Sequence, residues 1–319
     1  LLMKNANASN LKLTKNIEIT SNWEAHNFSG TLDGAGFEIK IKFADEKEVG
    51  FVKKNSGKIS NLKLVIVSSN LKKVKSFGAI AVENIGTIEN CEVSGNVSIS
   101  SDDCQKVCGV CATNSSKIEK VSQNIRFDIS TKSNDFVFGG ISATNSSSGK
   151  ISKSSTNSTV NLNLSSKNFT FGGAVGQLAR ADESRISQVG TIFSLSANGS
   201  SKNSLIGGLV GEGFSFANDC FARGAFDLQN LSSNGLVGGL YGEYLNSSLN
   251  QIVKTSYSDF SITSNSTLLV GGLVGGLGGK FEICFSTFDG ALFGKSHSAY
   301  FNSLCYTVFS AKSSCVNFL

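Results

Sequence analysis

Eight cysteines are the residues of this 319-residue chain whose spacing comes nearest to a known chemistry. Cys104, Cys108 and Cys111 stand as Cys-x3-Cys-x2-Cys, the spacing with which radical-SAM enzymes hold an iron–sulfur cluster through thiolates. That chemistry needs a (β/α) barrel around it, and Cys108-Gly109 is instead one step of a repeat that runs through most of the chain. A disulfide from Cys104 to Cys108 or to Cys111 is the better expectation, with Cys305–Cys315 as a second bridge. Cys91, Cys220 and Cys284 each lie thirteen residues after the first glycine of a repeat unit. Stacked units would hold them too far apart to bridge, so they are expected to fill a small buried slot.

Other catalytic signals are weak. The two histidines, His26 and His297, sit in no zinc pattern and are expected in turns or at the surface. No Gly-x-Ser-x-Gly elbow occurs, and the glycines of Gly271–Gly279 lead into Lys280-Phe281 rather than the Lys-Ser/Thr of a phosphate loop. The acids are scattered. Asp182 and Glu183 with Arg180 and Arg185 make the densest polar group, which reads as a surface charge cluster. No catalytic residue, metal site or cofactor is expected.

The elements that would position any site come from the repeat. Val270-Gly-Gly-Leu-Val-Gly275 returns as Val237–Gly242, Ile206–Gly211 and Phe171–Gly176, with weaker forms at Phe138, Cys108, Phe77 and Val49. The first glycines fall at 50, 78, 109, 139, 172, 207, 238 and 271. Such an array describes a solenoid. Between the glycine steps, apolar and β-branched residues alternate with Ser, Asn and Lys, as in Lys12–Thr20 and Val97–Ser101, and there is no proline. Three short strands per unit, with no helical segment, predict a right-handed parallel β-helix of roughly eight to ten coils. Residues 1–48 would be a lead-in cap, 49–295 the repeats, and 296–319 a last coil or cap. A glycine repeated at one phase implies a tight bend or close backbone approach there.

Residues 1–75 carry thirteen lysines against seven acids, with Lys72, Lys73 and Lys75 the densest cluster. This reads as a solvated cap whose lysines discourage edge pairing. The segment has no arginine, so nucleic acid is not an expected partner. No apolar run is long enough to span a bilayer, and no signal peptide is visible. Asn-x-Ser/Thr sequons stand at Asn7, Asn27, Asn96, Asn114, Asn145, Asn157, Asn163, Asn168, Asn198, Asn230, Asn246 and Asn265. Many are expected in the breaks between strands, where a glycan is tolerated; in a eukaryotic protein they favour an extracellular or cell-surface location, and in a bacterial one they are by-products of Asn- and Ser-rich turns.

The repeat resembles the GLUG motif family, whose units read approximately Gly-Gly-Leu-Val-Gly, a turn, Ile-x-Asn-Cys-Tyr, then Gly-x-Val. Val270–Gly275 and Ile206–Gly211 carry the first part. Ile88-Glu-Asn-Cys-Glu-Val-Ser-Gly-Asn-Val97 and Asn218-Asp-Cys-Phe-Ala-Arg-Gly224 carry the second. Leu13–Thr20, Trp23 and Phe28–Ile39 are similar to the lead-in that precedes such repeats. The resemblance implies β-helices in large surface or secreted proteins, adhesins among them, and no single activity. The expected function is therefore a non-catalytic extracellular rod for adhesion, ligand or glycan binding, or spacing. Its partner would be an extracellular protein, a glycan, or another copy joined end to end. A polysaccharide-active β-helix enzyme is the alternative.

Overall fold

Alternating sequence makes strands, and what pairs them is the next coil. The computed structural model describes residues 10–181, 183–245, 252–278, 280–288, 293–296 and 306–307. It is an all-β solenoid in which each strand pairs in parallel with its equivalents in the coils before and after. Thr87, Ile88 and Glu89, for example, pair with Lys58, Ile59 and Ser60 on one side and with Lys117, Ile118 and Glu119 on the other. Eight coils carry the glycine step, and two lead-in turns stack beneath the first of them. Among the described residues no helix is long and apolar enough to cross a membrane.

A coil has four paired segments where three were expected. In the second coil they are an arm strand Ser76–Gly78, a back strand Ala81–Asn84, a short strand Thr87–Glu89 and a long strand Glu92–Ser100. The glycine step is a corner rather than a strand, so it cuts the first expected strand in two. The second is cut at Asn90, whose φ is 51°, and its remainder fuses with the third. The back strands form a ten-stranded sheet, and the other three ranks join into one of twenty-five strands. In two coils the fusion goes further, and Lys150–Gly172 and Ile186–Gly207 run unbroken from short strand to corner.

The register also corrects the repeat. Cys108 pairs with Gly78 and Gly139, so the cysteine occupies the first-glycine place in the third coil. The residue stacked beneath Phe138 is accordingly Val107, and Gly109 belongs to the rank of Gly140.

Every coil turns at one residue in the left-handed region, directly before an inward side chain. These are Asn61, Asn90, Lys120, Lys153, Gln188, Asp219, Thr255 and Ile283, with φ between 47° and 56°. Asparagine tolerates this conformation, whereas a β-branched residue there is a true outlier. The inward residues that follow, Cys91, Cys220 and Cys284 among them, are the buried slot that their common phase implied. Cys91 and Cys220 lie 3.2 and 3.1 Å from the carbonyls two residues back, and Ser154 and Ser256 donate to the equivalent carbonyls at 2.8 Å. Cysteine and serine thus do one job at this corner.

Inside, phenylalanines stack from coil to coil. Phe43, Phe77, Phe127, Phe138, Phe171, Phe226, Phe260 and Phe288 make a continuous chain of ring contacts. At the far end of the back strands, Asn55, Asn84, Asn114 and Asn145 are wholly buried, and each amide donates to the next side-chain oxygen at 2.7–2.8 Å. The ladder is closed at both ends. Gly57 N donates to Asn55 Oδ1, and Asn145 Nδ2 donates to the Gly149 carbonyl.

Ile283 is 46% exposed, so replacing it removes little burial while relieving its backbone. Ile283→Asn should therefore raise stability by about 1 kcal/mol in urea unfolding, and Asn61→Ile should lower it by at least as much. Asn114→Ala takes the ladder bond from the Asn84 amide and from the Asn145 side-chain oxygen, and should cost about 3 kcal/mol by the same measurement.

Candidate functional site

The corner shapes the outer surface as well as the core. At the first glycine the chain folds back so tightly that a Cβ on Gly172 would lie 1.8 Å from the Val175 carbonyl oxygen. A Cβ on the second glycine would meet the same step of the next coil, with Gly173 falling 2.0 Å from the Gly208 carbonyl oxygen. These second-glycine carbonyls face a polar rank on the long strands. Thr156 Oγ1 donates to Gly173 O at 2.9 Å, and Thr191 Oγ1 donates to Gly208 O at 2.7 Å. Ser258 does the same for Gly272. Sequence reasoning missed this rank, which is Thr or Ser in only half of the coils and Leu64, Val93, Gln123 and Ala222 in the others.

The last glycine of the motif turns the bend inward. A Cβ on Gly176 would strike Val137 Cγ1 at 2.4 Å, and one on Gly211 would strike Thr170 Cγ2 at 2.5 Å. Outward side chains of the arm strand therefore lie over bare backbone of the back strand. The cross-section becomes concave there, and the concavity repeats in register into a groove of about 760 Å³ along the solenoid.

Each of five coils adds a floor residue and a residue of one wall, and three of them add a residue of the opposite wall. Its floor is Val137, Thr170, Leu205, Leu236 and Leu269, one directly above another. Leu269 is 46% exposed. One wall is Asp135, Asn168, Asn203 and Asn234, also in register, followed by Thr267. Asn168 Nδ2 donates to Asp135 Oδ1 at 2.6 Å, and Asn203 Nδ2 donates to Asn168 Oδ1 at 3.1 Å. The opposite wall is Gln177, Glu212 and Glu243 from successive back strands. Gln177 Nε2 donates to Glu212 Oε2 at 3.0 Å. Five coils at about 4.8 Å make the groove roughly 19 Å long. Lys106 stands one coil below Val137, where its Nζ donates to Thr113 Oγ1 at 3.1 Å, and it ends the apolar floor.

The residues singled out by sequence lie elsewhere. Cys104, Cys108 and Cys111 are buried free thiols, which contradicts the expected Cys104 disulfide. Cys104 and Cys111 pack into the main core, whereas Cys108, at its glycine place, faces a small outer cluster with Val82, Ala112, Val137 and Ala143. Among the described residues no cluster of His, Cys, Asp or Glu has the makings of a metal site. Cys305 and Cys315 lie outside the described residues, as do His297 and Asp182. His26 sits half-buried on a strand, with its Nε2 buried and unpaired, rather than in a turn. Glu183 accepts from Lys150 Nζ at 2.9 Å and lies 3.8 Å from Arg185. The lysine bond, then the lysine and arginine charges, hold its carboxyl below the usual range, as in a surface charge cluster.

The sequons divide. Asn114 and Asn145 are rungs of the buried amide ladder, so a glycan at either would be incompatible with this fold, and both drop out as modification sites. Asn27, Asn96, Asn157, Asn163, Asn168, Asn230 and Asn265 are exposed, and Asn198 is half-buried. Asn96, Asn157, Asn163, Asn168 and Asn198 stand within strands rather than in breaks. The reason is that outward positions of the long strands are themselves filled with Ser, Thr and Asn. Asn7 and Asn246 lie outside the described residues.

Compared with known proteins, the chain matches no family model, no curated protein and no solved structure.

Burial pushes the thiols of Cys91, Cys104, Cys108 and Cys220 up to about 12 from an ordinary 9.0. Their thiolates are thus suppressed in the folded chain, and these cysteines should resist iodoacetamide at pH 8 until urea unfolds the protein. The unfolded chain loses these protons near pH 9 while the folded chain keeps them. The stability they confer is therefore full below pH 9 and is lost as pH rises toward 12. Peptide mapping of alkylated cysteines and urea midpoints at pH 7 and 10.5 check both outcomes.

Proposed function

We propose that this chain is a non-catalytic extracellular β-helix rod that binds a macromolecular ligand along its groove, in adhesion or as a rigid spacer. The observation that carries this reading is the groove's regularity. A floor residue, aliphatic in all but one coil, and a polar wall residue recur in register across five coils, and a second polar wall of Gln177, Glu212 and Glu243 faces three of them. A line of similar subsites suits a long ligand, whereas chemistry needs one coil to differ from its neighbours. The Ser-, Thr- and Asn-rich outer face and the likeness to GLUG-type repeats of surface proteins support the same reading.

One observation favours the polysaccharide-active alternative. Glu212 and Glu243 are register partners on neighbouring coils within the groove, and glycoside hydrolysis uses two carboxylates some 5 to 10 Å apart. Both are half-exposed in an open trough, however, whereas a glycosidase's acid is kept protonated by an apolar enclosure.

The test is a panel of extracellular-matrix proteins and polysaccharides, assayed for both binding and release of reducing ends. Saturable binding without turnover, by a particle that sediments as an elongated rod, is the expected result. Reducing-end release that vanishes in Glu212→Gln or Glu243→Gln would overturn it in favour of the enzyme.

A further inference from the structure

The groove's charge is opposite to that of the chain that carries it. Among the described residues its lining holds Asp135, Glu212 and Glu243 and no lysine or arginine, although the whole protein carries a net +5. Resting on the reading of the groove as a binding surface, we propose that its occupant is an extended polypeptide carrying lysine or arginine among aliphatic side chains.

The groove's dimensions select the conformation. The floor is a single column of side chains between two walls. A slender extended chain lies along such a line more readily than an α-helix, which is about 10–12 Å across with its side chains. The strands of the solenoid cross the groove at right angles, so the ligand cannot add to a sheet edge as another strand. Side chains must hold it. Val137, Leu205, Leu236 and Leu269 offer an aliphatic floor, and the two walls flank it with three carboxylates set among amides.

The same features disfavour a glycan. A sugar seeks an open aromatic face, and the aromatic rings at this groove, Phe136 and Phe169, are buried and stacked on each other 6.1 Å apart. Electrostatics also directs the peptide. A basic ligand is repelled by the lysine-rich coils at the N-terminal end, and Lys106 closes the floor on that side. The acidic trough beyond is where its charges are answered.

The experiment uses the full chain and a fluorescein-labelled, acetylated and amidated ten-residue peptide of alternating lysine and valine, followed by fluorescence anisotropy. Controls are the same peptide with glutamate for lysine, and a neutral glucan hexaose as competitor. The double variant Glu212→Gln/Glu243→Gln removes two groove charges. Glu89→Gln/Glu92→Gln removes two elsewhere, and circular-dichroism melts confirm that both variants fold. The lysine peptide should bind, more weakly at high salt, and the groove variant should weaken it on the order of fivefold while the distant variant leaves it unchanged. Leu205→Lys should abolish binding by placing a cation on the floor. Three results overturn the proposal: equal binding of the glutamate peptide, equal loss in both double variants, or displacement by the hexaose. If the lysine peptide fails while the full chain still binds a matrix protein or polysaccharide, only the ligand class falls. If nothing binds, the binding role of the rod falls with it.

Discussion

Parallel pairing in register is the constraint from which the rest of this structure follows. Each residue is held about 4.8 Å above its equivalent in the coil below, so every phase of the repeat becomes a column. A column favours side chains that can meet their own kind. Phenylalanine rings do so by edge and face contact, as in the chain from Phe43 to Phe288. Asparagine does so uniquely well when buried, because its amide donates upward while its oxygen accepts from below. The four-rung ladder from Asn55 to Asn145 is therefore polar and yet fully satisfied, which the interior requires. Beyond Asn145 the column passes to Leu178, Gly213 and Tyr244, and the corner is filled by apolar packing instead.

The glycine step is where this columnar logic meets a sharp bend. From Gly139 onward two consecutive residues lose their side chains, one where the chain folds back on itself and one where the next coil's carbonyl approaches. That carbonyl is turned into the core, and Thr156, Thr191 and Ser258 answer it from across the interior. The third glycine, at Gly176 and Gly211, lets the outward arm-strand residues settle onto the back strand. One short motif therefore sets the core's polar contact and the outer concavity together.

Much of this architecture was legible in the sequence, because the Gly-Gly-apolar step is conspicuous and its spacing narrow. The number of coils, the absence of helix and the bend at the glycines could all be read from it. The third coil was misread by one residue, since Cys108 stands in the glycine's place and Gly109 offered a false match. Asn114 and Asn145 looked like surface sequons because the side chains that bury them come from other coils. The Cys104–Cys108–Cys111 spacing suggested bridging, but strand alternation sends Cys108 away from the other two. The groove was not legible at all. Its floor contains valine, threonine and leucine, its walls mix acids and amides, and concavity belongs to the bend rather than to any residue type.

Coil length varies, and its largest variation has one address. Two residues separate back strand from short strand at Asn84–Thr87 and at Asn114–Lys117, but four do so between Asn145 and Lys150, and seven between Leu178 and Ile186. The extra chain emerges beyond the amide column and leaves the glycine step untouched. The molecule is thereby divided into a ruled edge and a free margin. Duplicating a whole unit would lengthen the trough by one graduation without changing its profile, while insertions could accumulate on the margin without altering the scale.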